Sequence, residues 1–259
     1  MPAKPSTLLL WLTPLFPLTL ALIIYQAGWQ TGSFLFINQI THTLPDRLWA
    51  GLTFLGNGWG IFALAFPLLV LAPRLLSAGI FAGILSGALG QILKAVFDLP
   101  RPAGILADGS FYRIGTPLLN HSMPSGHTLT AFAIASALYF SCDKSKRPTT
   151  SSLFGIATLV GLSRIAVGAH WLTDVLAGAG IGLWCGLIGA NLASRIPDAS
   201  LLPSKLWLRT IALGGLVTAY TLLTQTMDIE LNLPLQYADV FLIAITLGLF
   251  FKSQGAKVH

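Results

Sequence analysis

The stretch from Ser152 to Asn191, SLFGIATLVGLSRIAVGAHWLTDVLAGAGIGLWCGLIGAN, decides the fold. It contains two apolar runs, each near the ~20 residues a helix needs to cross the hydrocarbon layer. Between and just inside them stand Arg164, His170 and Asp174. Backbone groups in lipid must find partners within the protein, which leaves helices or a closed barrel, and long apolar runs without alternation exclude the barrel. Working outward, the same pattern predicts eight spans, at about 7–25, 48–72, 75–97, 125–142, 152–169, 171–191, 206–224 and 237–251. The expected fold is an all-α polytopic transmembrane bundle forming a single domain over residues 1–259, with the spans at 206–224 and 237–251 added after the polar motifs. Gly83, Gly87 and Gly90 recur at one-turn spacing and predict close helix packing in the third span. Residues 26–47 are too polar to span, but Phe34, Ile37, Ile40, Thr41, Leu44 and Leu48 recur at helical spacing and predict an interfacial helix.

Composition agrees: 54% of residues are hydrophobic, only 9% are charged and the mean hydropathy is +0.74, which is a membrane composition. The net charge of +6 comes without the clustered basic and aromatic residues of a nucleic-acid surface, so nucleic acid is excluded as a partner. Cys142 and Cys185 have neither metal-ligand spacing nor a disulfide framework. The first apolar run carries Pro14 and Pro17 and no clear cleavage site, and reads as an uncleaved first span rather than a signal peptide. With eight spans, the face of the termini collects ten of the fifteen basic residues: Lys4, Arg74, Lys144, Lys146, Arg147, Arg195, Lys205, Arg209, Lys252 and Lys257. The positive-inside rule then predicts cytoplasmic termini and an extracytoplasmic opposite face, in a bacterial chain at the inner membrane.

Ionisable groups near a bilayer are expensive unless paired, wet or functional. Three blocks of them fall on that opposite face: Lys94-Ala-Val-Phe-Asp-Leu-Pro-Arg101-Pro102, then Pro124-Ser125-Gly126-His127, then Ser163-Arg164 through His170 to Asp174. Lys94, Arg101 and Arg164 come from separate segments and suit an anion with several oxygens, which phosphate is. The Ser125–Gly126 turn opens a helix, whose free N–H groups favour the same anion; the Ser125 hydroxyl serves as a donor or as the helix cap. His170 and Asp174, four residues apart, share one helix face, so the carboxylate can fix the imidazole tautomer and free the other nitrogen to attack. His127, from a different helix, suits protonation of a leaving oxygen.

Together the blocks read K-x6-R-P, P-S-G-H and S-R-x5-H-x3-D, and this pattern of eleven fixed positions resembles the signature of the type 2 phosphatidic acid phosphatase superfamily, which includes lipid phosphate phosphatases and vanadium haloperoxidases. The resemblance covers residues 94–174. It implies phosphate binding by Lys94, Arg101, Ser125, Gly126 and Arg164, with His170 as nucleophile, Asp174 as its orienter, His127 as acid, and no metal or other cofactor. The implied activity is hydrolysis of an anionic lipid phosphate or pyrophosphate through a phosphohistidine. Candidate substrates are undecaprenyl pyrophosphate, phosphatidylglycerophosphate, phosphatidic acid and lipid A phosphates; the resemblance favours an isoprenoid pyrophosphate or a glycerophospholipid phosphate, with lipid A phosphatase as the alternative. Transfer to a lipid acceptor is an alternative within the enzyme class, and a lipid transporter or lipid-binding protein is the non-enzymatic one. A metal site of His121, His127, His170 and Asp174 is disfavoured because three cations would repel the metal. His121, Arg113, Asp98 and Asp108 lie in the connecting loop, outside the signature.

Overall fold

The structure, a computed structural model, describes residues 8–255; Lys4 and Lys257 of the charge count lie outside them. All regular structure among these residues is helical. In chain order the α-helices are α1 (Leu8–Leu12), α2 (Leu15–Gln26), α3 (Gln30–Thr41), α4 (Asp46–Phe54), α5 (Gly58–Ala65), α6 (Leu68–Leu71), α7 (Pro73–Phe97), α8 (Pro102–Ile105), α9 (Gly126–Ser141), α10 (Arg147–Thr150), α11 (Ser152–Ala166), α12 (Leu172–Ser194), α13 (Leu206–Thr224) and α14 (Leu233–Gly255).

Five stretches are long and apolar enough to cross a membrane: Leu8–Gln26, Pro73–Ile105, Leu172–Ser194, Asp198–Thr224 and Glu230–Ser253. The protein is an integral membrane helical bundle. The signature helices α9 and α11 have 16 and 15 residues, shorter than a full crossing needs, so a count of eight requires both to cross as short helices and the bent α4–α5 pair to cross as well.

The expected continuous span at 48–72 is instead three short helices, with α4 and α5 bent by 73°. The break is local chemistry. Asn57 caps α5 by accepting from the Trp59 and Gly60 N–H groups at 3.0 and 3.4 Å, which starts a new helix. Gly56 packs so tightly that a Cβ there would lie 2.8 Å from His127 Cβ. Pro67 and Pro73 then open α6 and α7.

The centre of the bundle is α12 packed against α7 and α9. Its contact faces are small: a Cβ on Gly182 would fall 2.5 Å from Leu129 O, and one on Gly186 would fall 2.3 Å from Ser136 Cβ and 2.5 Å from Ala133 O. Close backbone approach of this kind is how helices associate without a hydrophobic driving force. The expectation that Gly83, Gly87 and Gly90 serve that purpose is corrected. A Cβ on Gly87 meets nothing within 4 Å, and at Gly83 and Gly90 only ordinary side-chain contact at 4.0 and 3.8 Å. Gly83 and Gly87 line a cleft instead, which Trp207, Gly214 and Thr218 of α13 also line.

Helix α3 forms where the 26–47 pattern placed it, but its packed face is Phe34, Asn38 and Thr41, while Ile40, Leu44 and Leu48 are exposed. Asn38 is a buried clamp. Its Nδ2 donates to the carbonyls of Tyr112, Ile165 and Ala166 at 2.9, 3.0 and 3.2 Å, and its Oδ1 accepts from the Tyr112 N–H at 2.8 Å. The long loop before α9 is thereby tied to the end of α11, where Arg164 stands.

At the other end of the bundle, Arg74 at the start of α7 donates to the carbonyls of Ala193 and Ile196 and pairs with Asp198 at 2.6 Å. Cys142 and Cys185 are both buried free thiols.

Candidate active site

The end of α7, the starts of α9 and α12 and the end of α11 meet at one end of the bundle and carry all three sequence blocks. Between α11 and α12 the chain must turn sharply. Gly168 allows it with φ +74° in the left-handed region, where a Cβ would also lie 2.8 Å from Tyr112 O, so only glycine fits. The His170 N–H then bonds back to Arg164 O at 3.2 Å, and Trp171, buried against Phe34 and Phe111, donates from Nε1 to Pro100 O at 2.9 Å.

His170 is buried, with Nδ1 3.2 Å from Asp174 Oδ2. That same oxygen accepts from Ser122 Oγ at 2.5 Å and from the Trp171 N–H at 2.9 Å, so the carboxylate is fixed by three donors from two segments. On the opposite edge of the ring, His170 Nε2 lies 3.2 Å from an Nη1 of Arg101. A guanidinium can only donate, so Nε2 must accept and Nδ1 must carry the proton. Both neighbours select one tautomer of the neutral ring, with its lone pair on Nε2. Burial, and after it the charges of Arg101, Arg164 and Lys94, hold the imidazole well below its ordinary range, so it is neutral at pH 7.

Arg101 is buried at the start of α8 and uses its whole fork: Nε donates to Asn120 O at 2.8 Å, Nη1 to Ala169 O at 3.1 Å and Nη2 to His121 O at 3.4 Å. Lys94, in the last turn of α7, lines a recess with Gln91, Arg101 and Asn120. Its Nζ is 3.7 Å from where a Cβ on Gly126 would sit, which places the ammonium beside the first turn of α9. Arg164 is buried in the last turn of α11; one Nη donates to Thr53 Oγ1 at 2.6 Å, while the buried Nε has no partner.

Ser125 occupies the N-cap position of α9 without capping it; its hydroxyl accepts from Thr128 Oγ1 at 2.9 Å, which leaves the Ser125 proton available as a donor. Its backbone N–H donates to Asp174 O at 3.0 Å, locking α9 to α12. Thus the first N–H groups of α9, the three cations and the His170–Asp174 couple are gathered at one place. In the connecting loop, His121 pairs with Asp98 at 3.1 Å and Arg113 with Asp108 at 3.1 Å, and all but Arg113 are well exposed.

His127 shows what the sequence reading missed. Its Nε2 is 3.1 Å from Oδ1 of Asp228, in the turn between α13 and α14, within ion-pair reach but off the line of a hydrogen bond. Burial would raise the Asp228 carboxyl, but His127, Arg164 and the Asn57 amide, which donates at 2.9 Å, outweigh it and hold the group well below the ordinary carboxylate range. Asp228 stands more than fifty residues beyond Asp174, with no motif spacing to mark it; its one signal was an acid in a short connection between two apolar spans.

A helical membrane bundle with a tautomer-locked histidine beside three cations, at the opening of a helix, defines a narrow class of integral membrane protein. The chain belongs to the PAP2 superfamily, whose pattern it matches over residues 74–197. It is 38% identical to the lipid A 1-phosphatase of Porphyromonas gingivalis over 121 residues, 44% of this chain and 24% of that protein. To the undecaprenyl-diphosphatase of Sulfolobus acidocaldarius it is 30% identical over 116 residues, 44% of this chain and 53% of that one. The crystal structure of Aquifex aeolicus LpxE shares the fold with a TM-score of 0.56 and 34% identity, covering 63% of this chain and 95% of that chain. The matches span about a quarter to a half of the length of the curated relatives. Helices α13 and α14, with Asp228 between them, lie beyond the family's matched region.

Proposed function

We infer that the protein is a membrane lipid phosphatase working through a phosphohistidine on His170. The observation that carries this reading is the locked tautomer: Arg101 and Asp174 together leave His170 neutral with its lone pair on Nε2, the state a nucleophile requires. Phosphate oxygens take over the guanidinium of Arg101 and the free Nε of Arg164, with Lys94, Ser125 and the Gly126 N–H completing the clamp. His170 Nε2 attacks phosphorus, the bond from phosphorus to the leaving oxygen breaks, and His127 delivers a proton to that oxygen. Water then attacks the phosphohistidine with His127 as base, releasing inorganic phosphate and restoring both histidines. Asp174 orients the ring and offsets its charge while the phosphoryl group is attached. No step calls for a metal, and turnover is expected to persist in excess chelator.

A lipid substrate is supported by an apolar cleft of about 770 Å³ between α7, α9 and α13. Its floor follows Gly79, Gly83 and Gly87 of α7 and Leu138, Ile134 and Thr130 of α9. Two more turns along the α7 row bring Lys94 and one more along the α9 row brings His127, so a chain lying in the cleft presents its head to the site. From Gly79 to Lys94 and from Leu138 to His127 the rows cover ~22 and ~16 Å at 1.5 Å per residue, over half the hydrocarbon layer. Lipid A 1-phosphate is the first substrate to test, because three of the relatives are named lipid A 1-phosphatase. Isoprenoid pyrophosphate and phosphatidylglycerophosphate follow.

The distribution of Lys and Arg supports cytoplasmic termini and an extracytoplasmic site at the inner membrane of a bacterium. Because both native thiols are buried, Arg113→Cys offers a clean label: reaction with an impermeant maleimide in intact cells is expected, and reaction only after permeabilisation overturns the orientation.

The decisive experiment is rapid acid-free quenching of the purified protein with labelled lipid phosphate. An alkali-stable, acid-labile phosphoryl group on the wild type and none on His170→Ala is expected; turnover by His170→Ala near the wild-type rate sinks the assignment.

A further inference from the structure

We propose that Asp228 is a positioning residue for His127, supplied by the α13–α14 hairpin from outside the family's matched region, and that it keeps the His127 ring protonated for delivery to the leaving oxygen. This rests on the assignment of His127 as the proton donor.

The need for such a residue follows from the phosphate clamp. The charged groups that act on His127 are Arg164 from α11 and Lys94 from α7, both cations, and Asp228; the neutral His170 faces it as well. Burial, and after it the cations gathered to hold phosphate, oppose a proton on this imidazole, yet an acid must hold its proton before the substrate arrives. An anion at 3.1 Å on the ring's Nε2 side meets that need. Asp174 is committed to His170 through the oxygen that Ser122 and Trp171 also hold, and it is not among the charges that act on His127.

The turn is built to hold the carboxylate in place. Asp228 has φ +57°, a left-handed conformation that Asp tolerates better than most residues. Gln236, wholly buried on α14, staples the turn: its Oε1 accepts from the Met227 N–H at 2.9 Å and its Nε2 donates to Leu222 O and Gln225 O at 2.9 and 2.8 Å. Ile229 packs with Trp49 and Ala50 of α4. Asn57, at the break between α4 and α5, donates to the second carboxylate oxygen at 2.9 Å. Broken helix and hairpin therefore converge on one carboxylate facing one imidazole.

The test compares Asp228→Asn, His127→Ala and the double variant in detergent, with an alkyl phosphate and with p-nitrophenyl phosphate, whose leaving group needs no proton. Asp228→Asn is expected to lower kcat for the alkyl ester about 10-fold or more, to have much less effect on p-nitrophenyl phosphate, and to move the alkaline limb of the pH profile to lower pH. In the His127→Ala background the same substitution should change nothing further. Equal losses on both esters, an unshifted alkaline limb, or additivity with His127→Ala would make Asp228 merely structural and overturn the proposal. Wild-type turnover by His127→Ala would instead remove the parent assignment. Asp228→Glu, which keeps the charge, should recover part of the rate.

Discussion

Replacing Asp174 with asparagine separates charge from geometry at the reacting couple. Asn is nearly isosteric and can place its amide oxygen where Oδ2 now accepts from Ser122, Trp171 and His170. The packing survives while the charge is lost. Attack through Nε2 leaves a positive ring, and the carboxylate oxygen lies 3.2 Å from Nδ1, with the ring charge spread somewhat further away. Unit charges ~4 Å apart interact by about 4 kcal/mol at an effective dielectric of ~20. The amide dipole retains part of this, so roughly 3 kcal/mol of transition-state stabilisation should disappear, about 100-fold in kcat. The assay is phosphate release from detergent-solubilised lipid phosphate at pH 7, with a thermal melt to confirm folding. Ser122→Ala, which removes a donor to the same oxygen but no charge, should lose far less. If Asp174→Asn turns over within 3-fold of the wild type while His170→Ala is inactive, the electrostatic reasoning fails, and with it the role given to Asp174.

Arg101→Lys keeps a cation but cannot reach the Asn120, Ala169 and His121 carbonyls and His170 at once, so kcat/KM should fall at least 10-fold in the phosphate-release assay. Gly186→Ala drives a methyl group into Ala133 O and Ser136, a cost of about 1–3 kcal/mol that should lower the melting temperature, whereas Gly87→Ala, with open space around it, should not. Gly87→Leu fills the cleft: kcat/KM for a long-chain lipid phosphate should drop several-fold while a short-chain ester is unaffected, and equal effects on both would separate the cleft from the lipid chain.

The bundle was legible because hydropathy reports what lipid demands of a segment, and 206–224 appears as α13 with those very ends. The break at Gly56-Asn57-Gly58 was not, since the flanking runs are apolar and only the capping amide and the approach to His127 distinguish a bend from a straight helix. The three glycines of α7 misled for a related reason: their spacing fixes a common face but not what lies opposite, and the close contacts went to Gly182 and Gly186. For the site, motif spacing places groups by chain order. It could pair His170 with Asp174, one turn apart, but not assign Asp228 to His127 across 101 positions, a pairing made by tertiary packing alone.

Two of the helices that carry the site are short. At 1.5 Å per residue, α9 and α11 are ~24 and ~22 Å long, against ~30 Å of hydrocarbon, and both end at the site. Cations and carboxylates enclosed by protein cannot be left to water; they must be bound by the protein, which is why Arg101 donates to three carbonyls, Arg164 to Thr53, and Asp228 accepts from Asn57. Thr53 and Asn57 flank the bend between α4 and α5, so the interruption that hydropathy could not see supplies partners to both a clamp residue and the partner of His127. The broken helix is thus part of the electrostatics of the site, and its cost in lost helical hydrogen bonds is offset where Arg164 and Asp228 find their partners.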